Sequence, residues 1–322
     1  GVDIRYSTPA RQLVTDKSGA VTGAIAQRED GEYVQVNAKN GVIIATGDYS
    51  NDDEMVDYYI PDLHNFERKQ NNQTGDGHKM GMWVGAAMEH VGHTKMLHDF
   101  DAGPASMCDM PFLAVADNTG KRFVDETVEM SLLNNYLRDG KHPCWYSQVF
   151  DANYMTDAAG WKGKLVDPEG LRVYMPEEDV ERKGVFADQV RTFKADTLEE
   201  LAVKIGQDPA TFVKTVEDYN ALCEAGADTE FGKDPKYLIP VKQAPFYGIH
   251  RRMRCSTICA GLEVNGENQA LTAEEPIEGL YVIGNCAGNF YGGVDYPLDI
   301  YGLSLGRCVT AGYVTGRALA QK

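Results

Sequence analysis

The sequence predicts an α/β protein, because short apolar strands in it run into glycine-rich turns that lead to helices. Residues 41–47, GVIIATG, form a continuous apolar run that suits a strand buried on both faces. Residues 280–283, LYVI, read as a second apolar strand, which ends at Gly284-Asn285 before a loop and a helix that begins near Gly302. Because a helix N-terminus offers unpaired N–H groups and a partial positive charge, this strand, loop and helix together predict a binding site for a cofactor.

The composition is that of an ordinary soluble globular protein. With 322 residues, the chain is long enough for two domains. Its hydrophobic content of 43% and charged content of 25% are typical, and no apolar run approaches the length of a membrane helix. The net charge of −17 would repel a polyanion, so we expect no nucleic acid and no anionic membrane as a partner, and no membrane insertion.

The cysteines do not form the pattern of a metal site. The seven cysteines are scattered and odd in number, without a CxxC pair. Cys255 and Cys259 are four residues apart, but no second pair and no adjacent histidine completes a zinc site. We therefore predict reduced cysteines in and around the core and no bound metal. Any redox chemistry would be carried by a group that the chain binds.

The first part of the chain, as far as residue 97, reads as short strands followed by a helix. The predicted strands, which are separated by turns, are residues 2–6, 11–14, 21–27, 33–37 and 41–47. The helix opens at residues 74–77, TGDG, and apolar side chains share one of its faces. Thr74 or Asp76 is a candidate cap for this helix, and a capping role would not exclude a second role.

After His98 the composition changes, and residues 99–245 are richer in turns and charges. Within this part, Thr197 begins a capping box for one helix. Asp208 caps a second helix, which ends at Gly226. We expect the apolar side chains on one side of that second helix to be core.

Residues 276–285, PIEGLYVIGN, resemble the closing strand of flavoproteins of the fumarate reductase/succinate dehydrogenase flavoprotein family, whose superfamily includes the 3-ketosteroid dehydrogenases. The ATG ending at 45–47, TGDG at 74–77 and DNTGKRFVDE at 117–126 resemble further motifs of that family, in the same order. The resemblance covers nearly the whole chain. It implies FAD as the cofactor.

The resemblance also implies the domain organisation. A Rossmann-like FAD-binding domain would consist of residues 1–97 and 246–322, and an α+β substrate-capping domain of residues 98–245 would be inserted into it. The family holds the FAD pyrophosphate with a GxGxxG fingerprint, and the nearest spelling here, at 75–81, has the wrong glycine spacing. We therefore expect the FAD-binding domain to be N-terminally incomplete, with this chain beginning within a longer protein.

In the matched motifs, the residues implied to contact FAD follow the strands or open the helices. They are Ala45, Thr46, Gly47, Asp76, Gly284, Asn285, Ser304 and Leu305. Asn285 stands where the family often has Glu or Asp. The local alternatives are that the two strands are ordinary buried strands ending in turns, and that Asp76 only caps its helix.

The residues that bind a small dicarboxylate in the family are changed in this chain. Met130 stands where the catalytic arginine is expected, and residues 255–261 lack the family's histidine pair. The position of a carboxylate-binding arginine falls near Asp299. Because two carboxylates in a dry cleft need charged partners, these changes disfavour a dicarboxylate substrate.

Aromatic residues crowd the loop between the strand at 280–283 and the helix that begins near Gly302. They are Phe290, Tyr291, Tyr296 and Tyr301, and we call this segment the aromatic loop. Tyr296-Pro297 followed by GLSLG at 302–306 resembles the arrangement of ketosteroid dehydrogenases. That resemblance implies Tyr296 as the catalytic acid/base and the Gly302 N–H as a donor to a substrate carbonyl, although extra residues separate them here. His98 is a third catalytic candidate. The alternatives are that Tyr296 only lines a pocket and that His98 is a satisfied histidine between the domains.

These observations predict a flavin-dependent oxidoreductase that reduces or forms an activated C=C bond in an enone or enoate. Its small-molecule substrate would be aromatic or steroid-like rather than a dicarboxylate, and an electron-donor protein or domain could be a partner. The alternative is a non-catalytic fragment or pseudoenzyme that acts as a binding or scaffold component, which the missing GxGxxG motivates. The sequence leaves the compartment open, either cytoplasmic or exported if a signal precedes Gly1.

Overall fold

The structure is a computed structural model that describes residues 2–98, 102–138, 144–292, 296–298 and 300–322. Its strands are β1 (Ala10–Thr15), β2 (Val21–Gln27), β3 (Tyr33–Asn37), β4 (Val42–Ile44), β5 (Glu67–Arg68), β6 (Lys95–His98), β7 (Leu113–Ala116), β8 (Trp145–Phe150), β9 (Thr192–Ala195), β10 (Phe246–Arg252), β11 (Arg254–Ile258), β12 (Gln269–Leu271) and β13 (Pro276–Val282). Its α-helices are α1 (Asp53–Tyr59), α2 (Asp76–Trp83), α3 (Met130–Leu137), α4 (Tyr154–Asp157), α5 (Pro168–Leu171), α6 (Leu198–Lys204), α7 (Pro209–Ala225) and α8 (Leu303–Ala320). This mixture of helices and strands confirms the α/β class. Within the described ranges, none of the helices combines the length and the apolar character that crossing a membrane requires.

The chain folds into two compact units. Unit 1 comprises Gly1–Pro61, Arg68–Met96 and Cys255–Lys322, and unit 2 comprises Asp62–Glu67 and Leu97–Arg254. The last return to unit 1 therefore comes after Arg254 rather than at residue 246. The reason is that β10 pairs along its length with β8 and also pairs with β9, and both of these strands belong to unit 2.

Unit 1 contains an antiparallel sheet in the order β1-β2-β3 and a second sheet in the order β12-β13-β4. In the second sheet β13 is antiparallel to β12 and parallel to β4, with Leu280 opposite Val42 and Val282 opposite Ile44. Parallel strands that are paired in this way end at the same edge of the sheet. The residues that follow β4 and β13 therefore come together.

Two of the predicted strands differ in the structure. Residues 2–6 lie outside the strands of the described chain, and the Val2 and Ile4 side chains are 87% and 65% exposed. An alternating pattern alone does not form a strand when no partner strand buries it. The strand predicted at residues 41–47 is shorter in the structure, where only the three residues of β4 are in a strand. The Ile43 side chain is exposed. Because β4 is the edge strand of its sheet, its side chains have a neighbouring strand on one side only.

Unit 2 is built around an antiparallel sheet in the order β7-β8-β10-β9. Successive side chains of a strand point to opposite faces, so Val149 and Phe150 enter two different cores, as do Phe246 and Tyr247. Helices α6 and α7 contribute side chains to the first core, and α4 and α5 contribute side chains to the second. The sheet of unit 2 is therefore covered on both faces.

The helix ends predicted in unit 2 are largely confirmed. The Thr197 hydroxyl accepts a hydrogen bond from the Glu200 N–H at 3.1 Å, at the start of α6. The other half of the capping box differs, because the Glu200 carboxylate accepts from the Asp196 N–H at 3.3 Å. Asp208 caps α7, and Gly226 ends it with a φ of 67°. Glycine adopts that left-handed conformation without steric cost.

Candidate functional site

The predicted cofactor residues that follow β4 and β13 lie at one edge of unit 1. The Ile283 N–H donates to the Ile44 carbonyl at 3.0 Å, so the pairing of the two strands continues to their ends. Gly47 and Gly284 have φ angles of 80° and 67°, which few other residues adopt readily. The structure thereby brings together Ala45, Thr46, Gly47, Gly284 and Asn285, and we call this edge the cofactor edge.

Helix α2 begins directly against the end of β4. A Cβ atom added to Gly77 would lie 2.1 Å from Thr46 Oγ1, so this close approach requires a glycine. Gly75, with a φ of 69°, holds the cap position, and no side chain caps the helix there. The capping role considered for Thr74 or Asp76 is therefore wrong. Asp76 is instead the first residue of α2, and its side chain is exposed.

A chain of polar side chains, which sequence reasoning missed, reaches the cofactor edge from the interior of unit 1. The Asn285 Nδ2 group donates to Thr257 Oγ1 at 2.8 Å, and the Thr257 hydroxyl donates to the Asp48 carboxylate. Asp48 also accepts from the Ser50 N–H at 2.7 Å. The Asn285 Oδ1 atom is buried and has no hydrogen-bond partner within the described residues. The signal in the sequence was Asp48 itself, an acidic residue that directly follows the ATG ending of an apolar run.

Burial shifts the pKa values of the ionisable groups in and around this row of polar side chains. It raises the pKa of the Asp48 carboxyl, and the hydrogen bonds from Thr257 and Ser50 act in the opposite direction. Burial also raises the pKa of the Cys255 and Cys286 thiols to about 12, so both stay protonated near neutral pH. All seven cysteines are free, as predicted. In the parts of the chain that the structure describes, no group of side chains is arranged to hold a metal ion.

The Glu89 side chain bridges two loops of unit 1 by hydrogen bonds. Sequence reasoning missed this residue as well. Its two carboxylate oxygens accept hydrogen bonds from the Gly261 N–H at 3.0 Å and from the Asn289 N–H at 2.8 Å. Burial raises the pKa of this carboxyl, and the two backbone hydrogen bonds oppose the rise. Gly261 ends the segment that lacks the histidine pair, and Asn289 precedes the aromatic loop. Glu89 therefore ties those two segments together.

The Tyr296 side chain lies at the start of α8. Its ring is buried, and its hydroxyl oxygen accepts a hydrogen bond from the Ser304 N–H at 2.8 Å. Burial raises the pKa of the Tyr296 phenol, and the bond from Ser304 acts in the opposite direction. Gly302 holds the cap position of α8 with a φ of 77°. The structure thus brings Tyr296, Gly302 and Ser304 together, with the Ser304 N–H already engaged by the protein itself.

The remaining predicted residues lie elsewhere. Leu305 is 75% exposed on α8, and the Tyr301 side chain before it is 88% exposed. His98 is buried at the end of β6 and belongs to unit 2. Met130 is the buried first residue of α3, in the same unit. Asp299 lies outside the described residues.

Unit 2 contains a buried cluster of charges that involves the motif at 117–126. Arg122 donates to the two oxygens of Glu126, both at 2.8 Å, and to Asp228 at 2.7 Å. The Lys233 ammonium lies 3.2 Å from Glu126, and the Tyr219 ring lies beside both cations. Because opposite charges pair closely in a nearly inaccessible place, we interpret this cluster as structural.

The sequence matches one family model and is similar to several curated proteins. The model described as "FAD binding domain" matches residues 1–296. Vinyl phenol reductase of Lactiplantibacillus plantarum is 29% identical, over 98% of this chain and 67% of that protein. A probable fumarate reductase of Shewanella frigidimarina is 27% identical, over 91% of this chain and 46% of that protein. The 4-oxocyclohex-2-ene-1-carboxylate 5-dehydrogenase of Sinomonas cyclohexanicum is 28% identical, over 100% of this chain and 57% of that protein.

Solved structures agree on the fold. The open conformation of a flavocytochrome c3 fumarate reductase matches with a TM-score of 0.73 and 24% identity, over 100% of this chain and 53% of that chain. The 3-ketosteroid Δ1-dehydrogenase of Sterolibacterium denitrificans matches with a TM-score of 0.67 and 24% identity, over 98% of this chain and 59% of that chain. Likeness at this identity establishes the fold alone. The chain spans about half to two thirds of the length of the curated relatives named above.

Proposed function

This chain belongs to the family of FAD-binding domains, and from that premise we propose that it works as a flavin-dependent oxidoreductase on an activated C=C bond. The observation that carries the proposal is the cofactor edge, where the ends of β4 and β13 meet the start of α2. In α/β folds, ligands bind where parallel strands end and where helices begin.

The residues of the cofactor edge fit FAD. Ala45 and Thr46 are exposed there, and the glycines at 47 and 284 let a ligand approach the backbone closely. The Oδ1 atom of Asn285 has no partner among the described residues, and it can accept a hydrogen bond of the kind that FAD donates from its hydroxyl groups and ring. We propose that these residues hold FAD, together with Asp76 at the start of α2. Ser304 and Leu305 remain proposed contacts at the start of α8.

Bound FAD would exchange a hydride equivalent with the substrate, and the protein must then handle the accompanying proton. We assign that proton to the Tyr296 hydroxyl group. Its oxygen accepts a hydrogen bond from the Ser304 N–H, so its own proton is available to a substrate atom. The raised pKa keeps the phenol protonated near neutral pH, which suits a general acid. We propose the Gly302 N–H as a donor to a substrate carbonyl, and we retain His98 as a further candidate.

The proposed substrate is a conjugated, ring-containing molecule rather than a small dicarboxylate. Met130 in place of the expected arginine supports this choice, because carboxylates need charged partners in a dry site. Two of the relatives also support it by their names, vinyl phenol reductase and 4-oxocyclohex-2-ene-1-carboxylate 5-dehydrogenase. A separate protein or domain would supply the electrons.

The test is a spectroscopic titration of the purified protein. The protein is loaded with FAD, reduced with dithionite without oxygen, and mixed in parallel with 4-vinylphenol, an oxocyclohexene carboxylate and fumarate. We expect the oxidised flavin absorption to return with one of the two ring-containing compounds and not with fumarate.

Two other results would count against the proposal. Return of the flavin absorption with fumarate alone would support a dicarboxylate reductase. A protein that takes up no FAD would favour the non-catalytic binding component instead.

A further inference from the structure

The chain of polar side chains formed by Asp48, Thr257 and Asn285 connects the interior of unit 1 with the cofactor edge. Asp48 is 1% exposed and Thr257 is 8% exposed, while Asn285 is partly exposed at the edge itself. Polar side chains in such positions are normally satisfied by the protein. Here Asp48 and Thr257 are satisfied, and Asn285 Oδ1 is the atom left without a partner within the described residues.

The direction of the hydrogen bonds determines how the Asn285 amide is turned. The Thr257 hydroxyl proton faces the Asp48 carboxylate and the Ile258 carbonyl, the second at 3.2 Å, and these groups act as acceptors. With its proton used in this way, the Thr257 oxygen can only accept a bond from Asn285. The Asn285 NH₂ group must therefore face Thr257, which turns the Oδ1 atom to the opposite side.

We propose that Asp48, acting through Thr257, holds the Asn285 amide with its oxygen directed to accept a hydrogen bond from a hydroxyl or N–H group of bound FAD. Asp48 and Thr257 are then positioning residues for cofactor binding, and the inference rests on the FAD site proposed above. Without Thr257, the amide could rotate by half a turn and present its NH₂ group to a cofactor donor. Two donors facing each other leave both unsatisfied, which weakens binding.

A purely structural role for the three residues fits the geometry less well. Bonds that only fastened β11 to the end of β4 would require Asp48 and Thr257 but not Asn285. A buried acceptor without a partner is costly, so a site that keeps one is expected to satisfy it when the ligand is bound.

The test compares FAD affinity among variants of Thr257 and Asn285. The dissociation constant is measured on the FAD-free protein by quenching of flavin fluorescence. We expect Thr257→Val to raise the dissociation constant about tenfold, because valine keeps the shape and removes the hydroxyl. Thr257→Ser keeps the hydroxyl and should stay within about twofold of the unchanged protein. Asn285→Ala should raise the dissociation constant about tenfold as well.

A double-mutant cycle separates positioning from general weakening. If Thr257 acts through Asn285, then Thr257→Val should change FAD affinity no further in a protein that already carries Asn285→Ala. Thr192→Val is the matched control, because the buried Thr192 hydroxyl also donates one hydrogen bond, to the Gly103 carbonyl at 2.7 Å in unit 2. It should lower the melting temperature without changing FAD affinity.

The possible failures are distinguishable. If the unchanged protein binds FAD and Thr257→Val binds it equally well, the positioning role is overturned while the proposed function stands. Equal losses from Thr257→Val with and without Asn285→Ala would also overturn it. If the unchanged protein binds no FAD, both the positioning role and the proposed function fail.

Discussion

Among the tyrosines of the aromatic loop, Tyr296 differs from its neighbours in the surroundings of its hydroxyl group. Tyr301 is 88% exposed, and the Tyr291 hydroxyl is buried near the Arg307 side chain. The Tyr296 oxygen is held by the Ser304 N–H, which fixes its position and leaves the phenolic proton for another acceptor. A general acid needs a fixed position and an available proton, and this is why we propose Tyr296 for that role.

Replacement of Tyr296 by phenylalanine should lower the turnover number by about 100-fold or more, because a positioned general acid contributes at least about that factor. The ring remains, so we expect the FAD absorption spectrum to stay unchanged. Steady-state kinetics with a substrate identified by the flavin titration measure the effect. Tyr301→Phe removes an exposed hydroxyl and serves as the control with unchanged turnover. Full activity in Tyr296→Phe would contradict proton transfer by this residue.

At the scale of secondary-structure elements, the cofactor edge depends on how closely α2 approaches its neighbours. Gly77 and Gly81 are one turn apart on α2, so they lie on the same face. A Cβ atom at Gly77 would lie 2.1 Å from Thr46 Oγ1, and one at Gly81 would lie 2.3 Å from the Leu262 side chain. Glycine weakens a helix, so its presence at both positions is explained by this packing. The start of α2 reaches the end of β4 because Gly77 has no side chain at the point of contact.

Gly77→Ala should therefore destabilise the protein by about 1–3 kcal/mol, the usual cost of overfilling a packed interior. Because Thr46 would have to move, we also expect weaker FAD binding. Urea denaturation and the fluorescence titration measure the two effects. Gly316→Ala is the matched control, since Gly316 is also helical and its added Cβ would meet no atom of the described residues within 4 Å. That change should stabilise the protein by up to about 1 kcal/mol. Similar losses in the two variants would argue against the close approach.

At the scale of the whole molecule, each unit is assembled from segments that are distant in the chain. Unit 1 is made of three segments and unit 2 of two, so the chain passes between them four times. The buried charges of unit 2 also join distant residues, because Arg122 and Asp228 are 106 residues apart within the segment Leu97–Arg254. The cluster forms only when distant parts of this segment have come together. Its stability therefore reports on the folding of that unit.

The acid stability of unit 2 should depend on Asp228. Burial raises the pKa of this carboxyl, but hydrogen bonds from Arg122 and from nearby backbone N–H groups outweigh burial and hold the pKa below its usual range. A carboxyl whose pKa is lowered by folding stabilises the protein above its unfolded pKa, near 4, and this contribution is lost as the pH falls further. We expect the free energy of unfolding to fall steeply below about pH 4.

Urea denaturation at pH 7 and at pH 3 tests this expectation with Asp228→Asn. The variant should be less stable at pH 7 by about 3 kcal/mol, because it leaves Arg122 incompletely paired. It should also lose less stability on acidification than the unchanged protein. Asp218→Asn, which alters a half-exposed carboxylate beside Lys214, is the control with nearly unchanged stability. An equal pH dependence in Asp228→Asn and the unchanged protein would show that Asp228 does not carry the effect.

The sequence determined on its own the features that depend on a few neighbouring residues. Asp208 and Gly226 mark the ends of α7 because a cap or a left-handed turn is decided within about one helical turn. The order of the motifs predicted the FAD-binding family, and the motif at 45–47 predicted part of the cofactor edge. Local patterns were less reliable where packing decides, as at residues 2–6, which alternate like a strand but are exposed.

Only the tertiary structure decided which distant groups meet. Asp48 and Thr257 are 209 residues apart, and Thr257 and Asn285 are 28 apart, so no local pattern linked them. The assignment of β10 to unit 2 likewise depends on its pairing with β8 and β9. The physical reason is that the energy of a turn or cap comes from atoms within a few residues. A buried hydrogen bond or a strand pairing instead depends on where the rest of the chain places its partner.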